Sequence, residues 1–330
     1  MREAVLVDHA AAQGRAPGRG REFRAERRLS VDPRQPVLVE RSRPASPCVG
    51  TCAIDEASGL CVGCARTRDE IAAWGGADEA FRRRVWAALA SRAAASGLAA
   101  RRLSWRGAEL LDEVERRFSD ASGVFVVGVY GAVAEVLREP GEAYEARRRG
   151  LFLTLRTRRA ALRVEAPDYL TAFEMTRPSG PPLVALAAPA GRVGPPGPGA
   201  LTALGPDHDA LLARDAGGAR FDVGLGRSAA RFSIRCSASL AARIGAHCGA
   251  PWPECLERIR AAVVEESPVR VVEAPRLRAE VDAAIPPPDG ASPEGPYTHL
   301  LPGLVAQGFD APPTLALPKG YVLSALFHPA

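Results

Sequence analysis

The sequence predicts an α+β protein in two unequal parts: a small metal-stapled knuckle with two helices, then a larger α+β domain with a mainly antiparallel sheet. Three observations carry that prediction. Four of the seven cysteines fall between Cys48 and Cys64. Amphipathic periodicity of 3.6 residues is confined to short stretches after those cysteines and from Trp105. Strand-like runs then dominate, without the regular βαβ alternation of a doubly wound sheet. A chain of 330 residues suffices for two domains, while 29 prolines and 32 glycines argue against long uninterrupted helices. The expected division is a mobile basic arm over 1–44, a four-cysteine module with two helices over 45–104, and an α+β domain of unknown function over 105–330.

The arm opens with a short apolar run, Ala4 to Val7, and then becomes rich in Gly, Arg and Pro without sustained periodicity, so one short strand is the most it is expected to form. After the cysteines, Thr67 and Glu70 stand at capping-box spacing ahead of Ile71 and Trp74, which starts a short helix at Thr67. Asp78 caps a second helix whose Phe81, Val85 and Leu89 line one face; Arg82, Arg83 and Arg84 fall mostly outside that stripe, and the helix ends before Gly97. Leu110, Leu111, Val114 and Phe118 mark a third amphipathic helix between Trp105 and Phe118.

Strands are expected within Val124–Val136, in a hairpin of Leu151–Leu155 with Ala160–Val164, and at Phe221–Leu225, Phe232–Cys236, Val269–Val272 and Tyr321–Phe327. Pro178–Pro198 reads as a Pro- and Gly-rich loop holding two apolar patches. Leu240–Ile259 reads as broken helix, Pro286–Pro288 as a turn, and His299–Ala306 as a helix.

Charge and composition bound the function. Through residue 106 there are 19 arginines against 12 acidic residues; beyond it, 24 basic against 26 acidic. The basic surplus of the N-terminal third makes nucleic acid one candidate partner, although scattered arginines are more often a solvated surface. That reading requires the arginines of 15–43 and 82–106 to share one face. The single lysine, Lys319, together with abundant alanine, reflects a GC-rich genome more than an arginine-specific role. No run approaches a membrane span and the start lacks the pattern of a signal peptide, so a cytoplasmic protein without a membrane partner is expected. In a reducing compartment, an odd number of cysteines points to metal or buried thiols before disulfides.

The strongest chemical signal is Cys48-Val-Gly-Thr-Cys52, then eight residues, then Cys61-Val-Gly-Cys64. Two close thiol pairs on tight turns can converge on one ion. Thiolates are the soft donors that zinc and iron–sulfur clusters share, and Gly50 and Gly63 permit the turns that aim both sulfurs inward. Arg66, Arg68 and the helix after Thr67 are placed to offset the thiolate charge. Cys48, Cys52, Cys61 and Cys64 are therefore the expected metal ligands, with zinc slightly favoured by spacing. These residues, with Ser46-Pro47 before them and Ala65-Arg66-Thr67, Glu70-Ile71 and Trp74 after them, resemble the small bacterial family domain of unknown function 1289 over about residues 44–92. Members of that family are commonly described as predicted iron–sulfur proteins, so the resemblance sets an iron–sulfur cluster beside zinc. Either would act mainly as a staple for a segment too small to bury its own core.

In the larger domain, Ser292-Pro-Glu-Gly-Pro-Tyr-Thr-His299-Leu-Leu-Pro302 delivers Tyr297, Thr298 and His299 close together. His299 and Thr298 are the candidate catalytic or ligand-contacting residues, since imidazole titrates near neutrality; a helix-capping Thr298 beside a structural His299 is the plainer alternative. Glu135 and Asp222 are the acidic groups an enzyme reading would add. This segment, with Gly128–Glu135, Phe221–Gly226 and Ile285–Pro288, resembles a second bacterial family, domain of unknown function 6925, over about residues 107–330. The resemblance implies no substrate or catalytic residue, and the histidine expected where Tyr297 stands is missing, which weakens a paired-His metal site.

Weaker features have plainer readings. Gly224-Leu-Gly226 lacks the third glycine and setting of a dinucleotide fingerprint and reads as a turn. Asp207, His208 and Asp209 read as helix capping before cation binding, and Cys236, Cys248 and Cys255 with His247 as a set that includes core thiols before a second metal site. With no nucleophile elbow, zincin or Walker motif, the favoured reading is a metal-binding accessory or binding protein whose larger domain takes a small ligand or a protein. An enzyme using His299 and Thr298 and a nucleic-acid binder are the alternatives.

Overall fold

A computed structural model describes residues 45–177, 179–287 and 294–330. The arm over 1–44, its expected strand and its arginines lie outside the described residues.

The first elements follow their local signals. Helix α1 (Arg68–Ala73) starts at a complete capping box: the Glu70 N–H donates to Thr67 Oγ1 at 3.2 Å, and the Thr67 N–H donates to Glu70 Oε2 at 3.0 Å. Helix α2 (Glu79–Ala95) starts where Asp78 Oδ1 accepts from the Phe81 N–H at 2.6 Å. Its buried residues are Arg82, Val85, Leu89 and Ala93. Arg82, expected outside the apolar stripe, is inside it for a specific reason: its guanidinium donates to the carbonyls of Trp74 and Gly75 at 2.9 and 3.3 Å, satisfying the end of α1, and lies over the Trp74 ring.

Strand β1 (Ala100–Arg102) precedes α3 (Gly107–Ser119), whose Leu110, Leu111, Val114 and Phe118 are all buried. The chain then runs through β2 (Gly123–Val129), β3 (Ala132–Val136), β4 (Glu145–Arg149), β5 (Phe152–Arg156), β6 (Ala160–Glu165), β7 (Thr171–Met175), β8 (Leu183–Pro189), β9 (Thr202–Pro206), β10 (Ala219–Asp222) and β11 (Arg231–Cys236). Helices α4 (Ala238–Gly245) and α5 (Glu254–Glu266) follow, then β12 (Val269–Ala274), β13 (Leu277–Val281), β14 (Tyr297–Leu300), the short α6 (Pro302–Val305) and β15 (Tyr321–Pro329).

The fold is α+β, and its strands form two sheets. One runs β1-β7-β8-β15-β2-β3-β14 and the other β4-β5-β6-β13-β12-β11-β10-β9. Every ladder between these strands is antiparallel. The sheets share one core, in which Phe125 and Val127 of the first meet Leu162, Val272, Ala279 and Val281 of the second. Alternation explains the layering: along β13, Leu277, Ala279 and Val281 join this core, while Arg278 and Glu280 take the opposite face. Helix α3 packs on β2 and β5, and α4 and α5 cover the β10–β11 end.

Two sequence expectations give way here. Within the expected loop Pro178–Pro198 lies β8, hydrogen-bonded to β7 and β15. Its run of Leu183 to Ala188 is almost wholly buried, so it lacks the alternation that identifies a half-exposed strand. The helix expected over His299–Ala306 is instead strand β14 and four helical residues. Pro302 is the reason, since proline suits the first position of a helix and interrupts its interior.

The cysteine module is docked on the first sheet. Val49 packs with Phe173, Met175 and Leu183, and β1 pairs with β7. Arg102 donates to the Cys48 carbonyl at 3.3 Å and to Thr171 Oγ1 at 3.2 Å, while Trp86 Nε1 donates to the Ala45 carbonyl at 3.0 Å.

Candidate functional site

In the cysteine module, the turn from Cys61 to Cys64 is closed by the N–H groups of Cys64 and Ala65 donating to the Cys61 carbonyl, with Ala65 in the left-handed region at φ 56°. Burial pushes the Cys61 thiol up, but backbone N–H groups of Gly63, Cys64 and Ala53 outweigh it and hold Cys61 below its ordinary 9.0. Burial pushes the Cys64 thiol above that value, although Arg66, buried over the Trp74 ring, donates its Nε–H to Cys64 Sγ at 3.3 Å. Arg66 thus supplies the expected positive neighbour; Arg68 is exposed.

The first cysteine loop lies directly against this turn. A Cβ at Gly63 would stand 2.6 Å from the Thr51 carbonyl and 2.9 Å from Val49, so only glycine permits the approach. Cys61 Sγ lies 3.4 Å from the Thr51 carbonyl, and the Gly50 N–H donates to Cys48 Sγ at 3.4 Å. Cys61 and Cys64 are buried, Cys48 half-buried and Cys52 exposed. Among the described residues, no three His, Cys, Asp or Glu side chains are gathered as a ready-made ligand set. The fit to a thiolate-bound metal is one of chemistry: four thiols on two touching loops, with N–H donors and an arginine directed at the sulfurs.

A second candidate site lies in the larger domain. A cavity of about 590 Å³ opens where β14, the edge strand of the first sheet, faces α5. Its walls include Phe232, Ile234, Ile259, Val263 and Ile285, with Arg270, Tyr297, Thr298 and His299 among its polar lining. A mostly apolar hollow with a few convergent polar groups is the usual form of a small-molecule site.

Arg270 sits on β12, on the face turned toward the first sheet, and is 2% exposed. Its Nε–H donates to Thr298 Oγ1 at 3.1 Å, and Nη1 donates to the carbonyls of Pro268 and Ala283 at 2.8 and 2.6 Å. Nη2 is buried without a partner. Burial pushes Arg270 down to about 10, which leaves it charged at neutral pH.

The structure separates the two sequence candidates. Thr298 reaches Arg270, whereas His299, the next residue along the strand, places Nε2 3.3 Å from Glu135 Oε1 on β3 and packs edge-on against Tyr297. Strand alternation sends neighbouring side chains to opposite faces, so Thr298 is not a helix cap and does not converge with His299. Asp222 is elsewhere, with Oδ1 accepting from the Gly224 N–H at 2.8 Å. That bond makes Gly224-Leu-Gly226 a turn, packed so closely on Ala200 that a Cβ at Gly224 would overlap it.

Arg270 and its cavity went unnoticed in the sequence because a lone arginine in Val269–Val272 reads as a strand's solvent face. The only available signal was that its neighbours are apolar on both sides. Asp207 is also reassigned: it caps no helix but lies buried between Arg235 and Arg278, at 2.8 and 2.5 Å. Asp209 instead faces Arg163 at 3.4 Å. Cys236 and Cys255 are core thiols, and burial drives Cys236 up to about 12.

Two family models match the chain. The model for the family of unknown function DUF6925 matches residues 109–330. The chain belongs to the DUF6925 family. That match covers the sandwich from α3 onward, including Arg270 and the cavity, and a second match, to protein of unknown function DUF1289, spans residues 46–93 and all four clustered cysteines. No curated protein and no solved structure matches the chain.

Proposed function

We propose that this DUF6925 protein is a metal-stapled binding protein whose sandwich takes a small ligand between α5 and β14. The observation that carries the reading is the cavity itself, an apolar hollow of about 590 Å³ with Arg270, Thr298 and Tyr297 among its polar groups. His299, also in the lining, carries its pairing with Glu135 at the rim of β14.

Cys48, Cys52, Cys61 and Cys64 would hold either one zinc ion or one iron–sulfur cluster. Zinc would supply a fold-forming crosslink, and a cluster would add one-electron chemistry. The chain's contribution is the pair of touching loops, the N–H groups on Cys61 and the Arg66 guanidinium on Cys64. Docking through Val49 makes the module a buttress of the first sheet. No helix among the described residues is long and apolar enough to cross a membrane.

Nucleic-acid binding gains little from the described arginines. Arg92 pairs with Glu70, Arg101 with Glu174, and Arg102 is spent on Cys48 and Thr171.

Metal analysis with an absorption spectrum, on protein purified without oxygen, tests the staple. Near-stoichiometric zinc or a brown iron- and sulfide-containing protein is expected, lost in Cys61→Ser; protein holding neither metal overturns this part. An NMR fragment screen on the full chain tests the cavity: shifts should cluster at Ile234, Leu256, Val263 and Thr298, and hits scattered over the surface would sink it.

A further inference from the structure

The sandwich contains three almost fully buried arginines, Arg235, Arg270 and Arg278. Two of them lie on the outer face of the second sheet and are neutralised by carboxylates. Arg235 meets Asp207 at 2.8 Å and Glu280 at 2.9 Å, and Arg278 meets Asp207, Glu273 and Glu280. Arg270 is bonded to no carboxylate among the described residues; Asp282, which acts on it through space, is paired with Arg214 at 2.7 Å. Its three bonded contacts are to two carbonyls and a hydroxyl, all uncharged, and Nη2 has none.

A buried guanidinium without a counter-charge is costly, and the fold demonstrably supplies carboxylates to the other two. Arg270 is also the one of the three that lines the cavity, opposite the apolar side chains of α5. We propose that the ligand of this cavity is an organic monocarboxylate with an apolar body, whose carboxylate provides the missing counter-charge to Arg270. The assignment rests on the cavity being the binding site, as inferred above.

The donor count selects among anions. Nε and Nη1 are committed to protein oxygens, so Nη2 alone is left to reach an incoming group. Arg260 and Glu257, also in the lining, carry opposite charges, so the one free nitrogen and unpaired charge of Arg270 suit a single-charged carboxylate. A phosphate dianion, with more oxygens and more charge, calls for several donors. Most of the remaining lining accepts hydrocarbon: Ile234, Leu256, Ile259, Val263 and Ile285 form walls that would desolvate an aliphatic or aryl tail, with Glu257 and Arg260 of α5 as the charged members of that wall. Because Nη2 is buried, binding requires a movement of the lining that exposes it.

Calorimetric titration of the full chain with octanoate, octanamide and inorganic phosphate tests this. Octanoate should bind about tenfold or more tightly than octanamide, the range expected when a bond to a charged group is gained. Arg270→Met should abolish that preference while retaining octanamide binding, and phosphate should not compete. Leu256→Trp, which enlarges a side chain on the α5 wall of the cavity, should weaken both octyl ligands. Equal affinity for octanoate and octanamide, or a carboxylate preference that survives in Arg270→Met, overturns the anion assignment and leaves the cavity reading intact. Phosphate competing as strongly as octanoate overturns it in favour of a phosphorylated ligand. Binding of neither octyl ligand, or binding indifferent to Leu256→Trp, removes the cavity reading and this inference with it. Should Arg270→Met fail to fold by near-ultraviolet circular dichroism, Arg270→Lys serves in its place, with the preference expected to fall and not to persist unchanged.

Discussion

Asp207 shows how much one side chain does in this sandwich. It joins Arg235 of β11 and Arg278 of β13, the strands on either side of β12, while Glu280 accepts the N–H groups of Leu211 and Leu212 at 3.0 and 2.9 Å. Together they pin the 207–217 connection over the outer face of the second sheet. Burial raises the Asp207 carboxyl, but the two guanidinium groups outweigh it and hold it below its ordinary 3.8. A carboxyl held lower in the folded state contributes stability that is present above its unfolded value and lost as pH falls through the folded one. Thermal unfolding followed from pH 6 down to pH 2, across the unfolded value and below it, should therefore show a falling midpoint, with a shallower fall in Asp207→Asn. Parallel profiles would mean that this carboxylate is not among the groups whose protonation weakens the fold.

At the scale of elements, short sequence signals worked where local bonds decide the structure. The capping box at Thr67 and Glu70 starts a helix of only six residues, too short to stand without its cap and its packing. Glu70 also pairs with Arg92 of α2 at 2.7 Å, so the cap ties two helices together. Thr67→Ala should cost about 0.5–2 kcal/mol, the usual worth of an N-cap, read from urea denaturation midpoints. No measurable loss would indicate that packing alone holds α1. The signals failed where burial replaces periodicity. Strand β8 carries no alternation because both of its faces are covered, and β14 looked helical because His299 and Leu300 precede a proline-initiated turn.

On the scale of the whole molecule, the cysteine module and the sandwich meet through a few contacts, of which Val49 is the apolar centre, 6% exposed among Phe173, Met175 and Leu183. Gly63 fixes the other side of that same residue, since any larger side chain there would push Val49 and Thr51 away. Val49→Ala should destabilise the chain by about 1–3 kcal/mol through lost burial and the cavity left behind, measured by equilibrium unfolding. A much smaller effect would mean that the module contributes little to the stability of the first sheet.

Taken alone, the sequence determined what depends on near neighbours. The α+β class, the two capped helices and the α3 stripe all follow from residues within a few positions of one another, where spacing is itself geometry. Tertiary structure decided what depends on strands brought together from far along the chain. It split the strands between two sheets, separated Thr298 from His299, and buried Arg270 against Thr298, 28 residues on, without a carboxylate beside it. Charge balance in a core is a property of all the chains around a side chain, and a one-dimensional pattern carries no record of which of them supply a counter-charge and which leave one to be supplied.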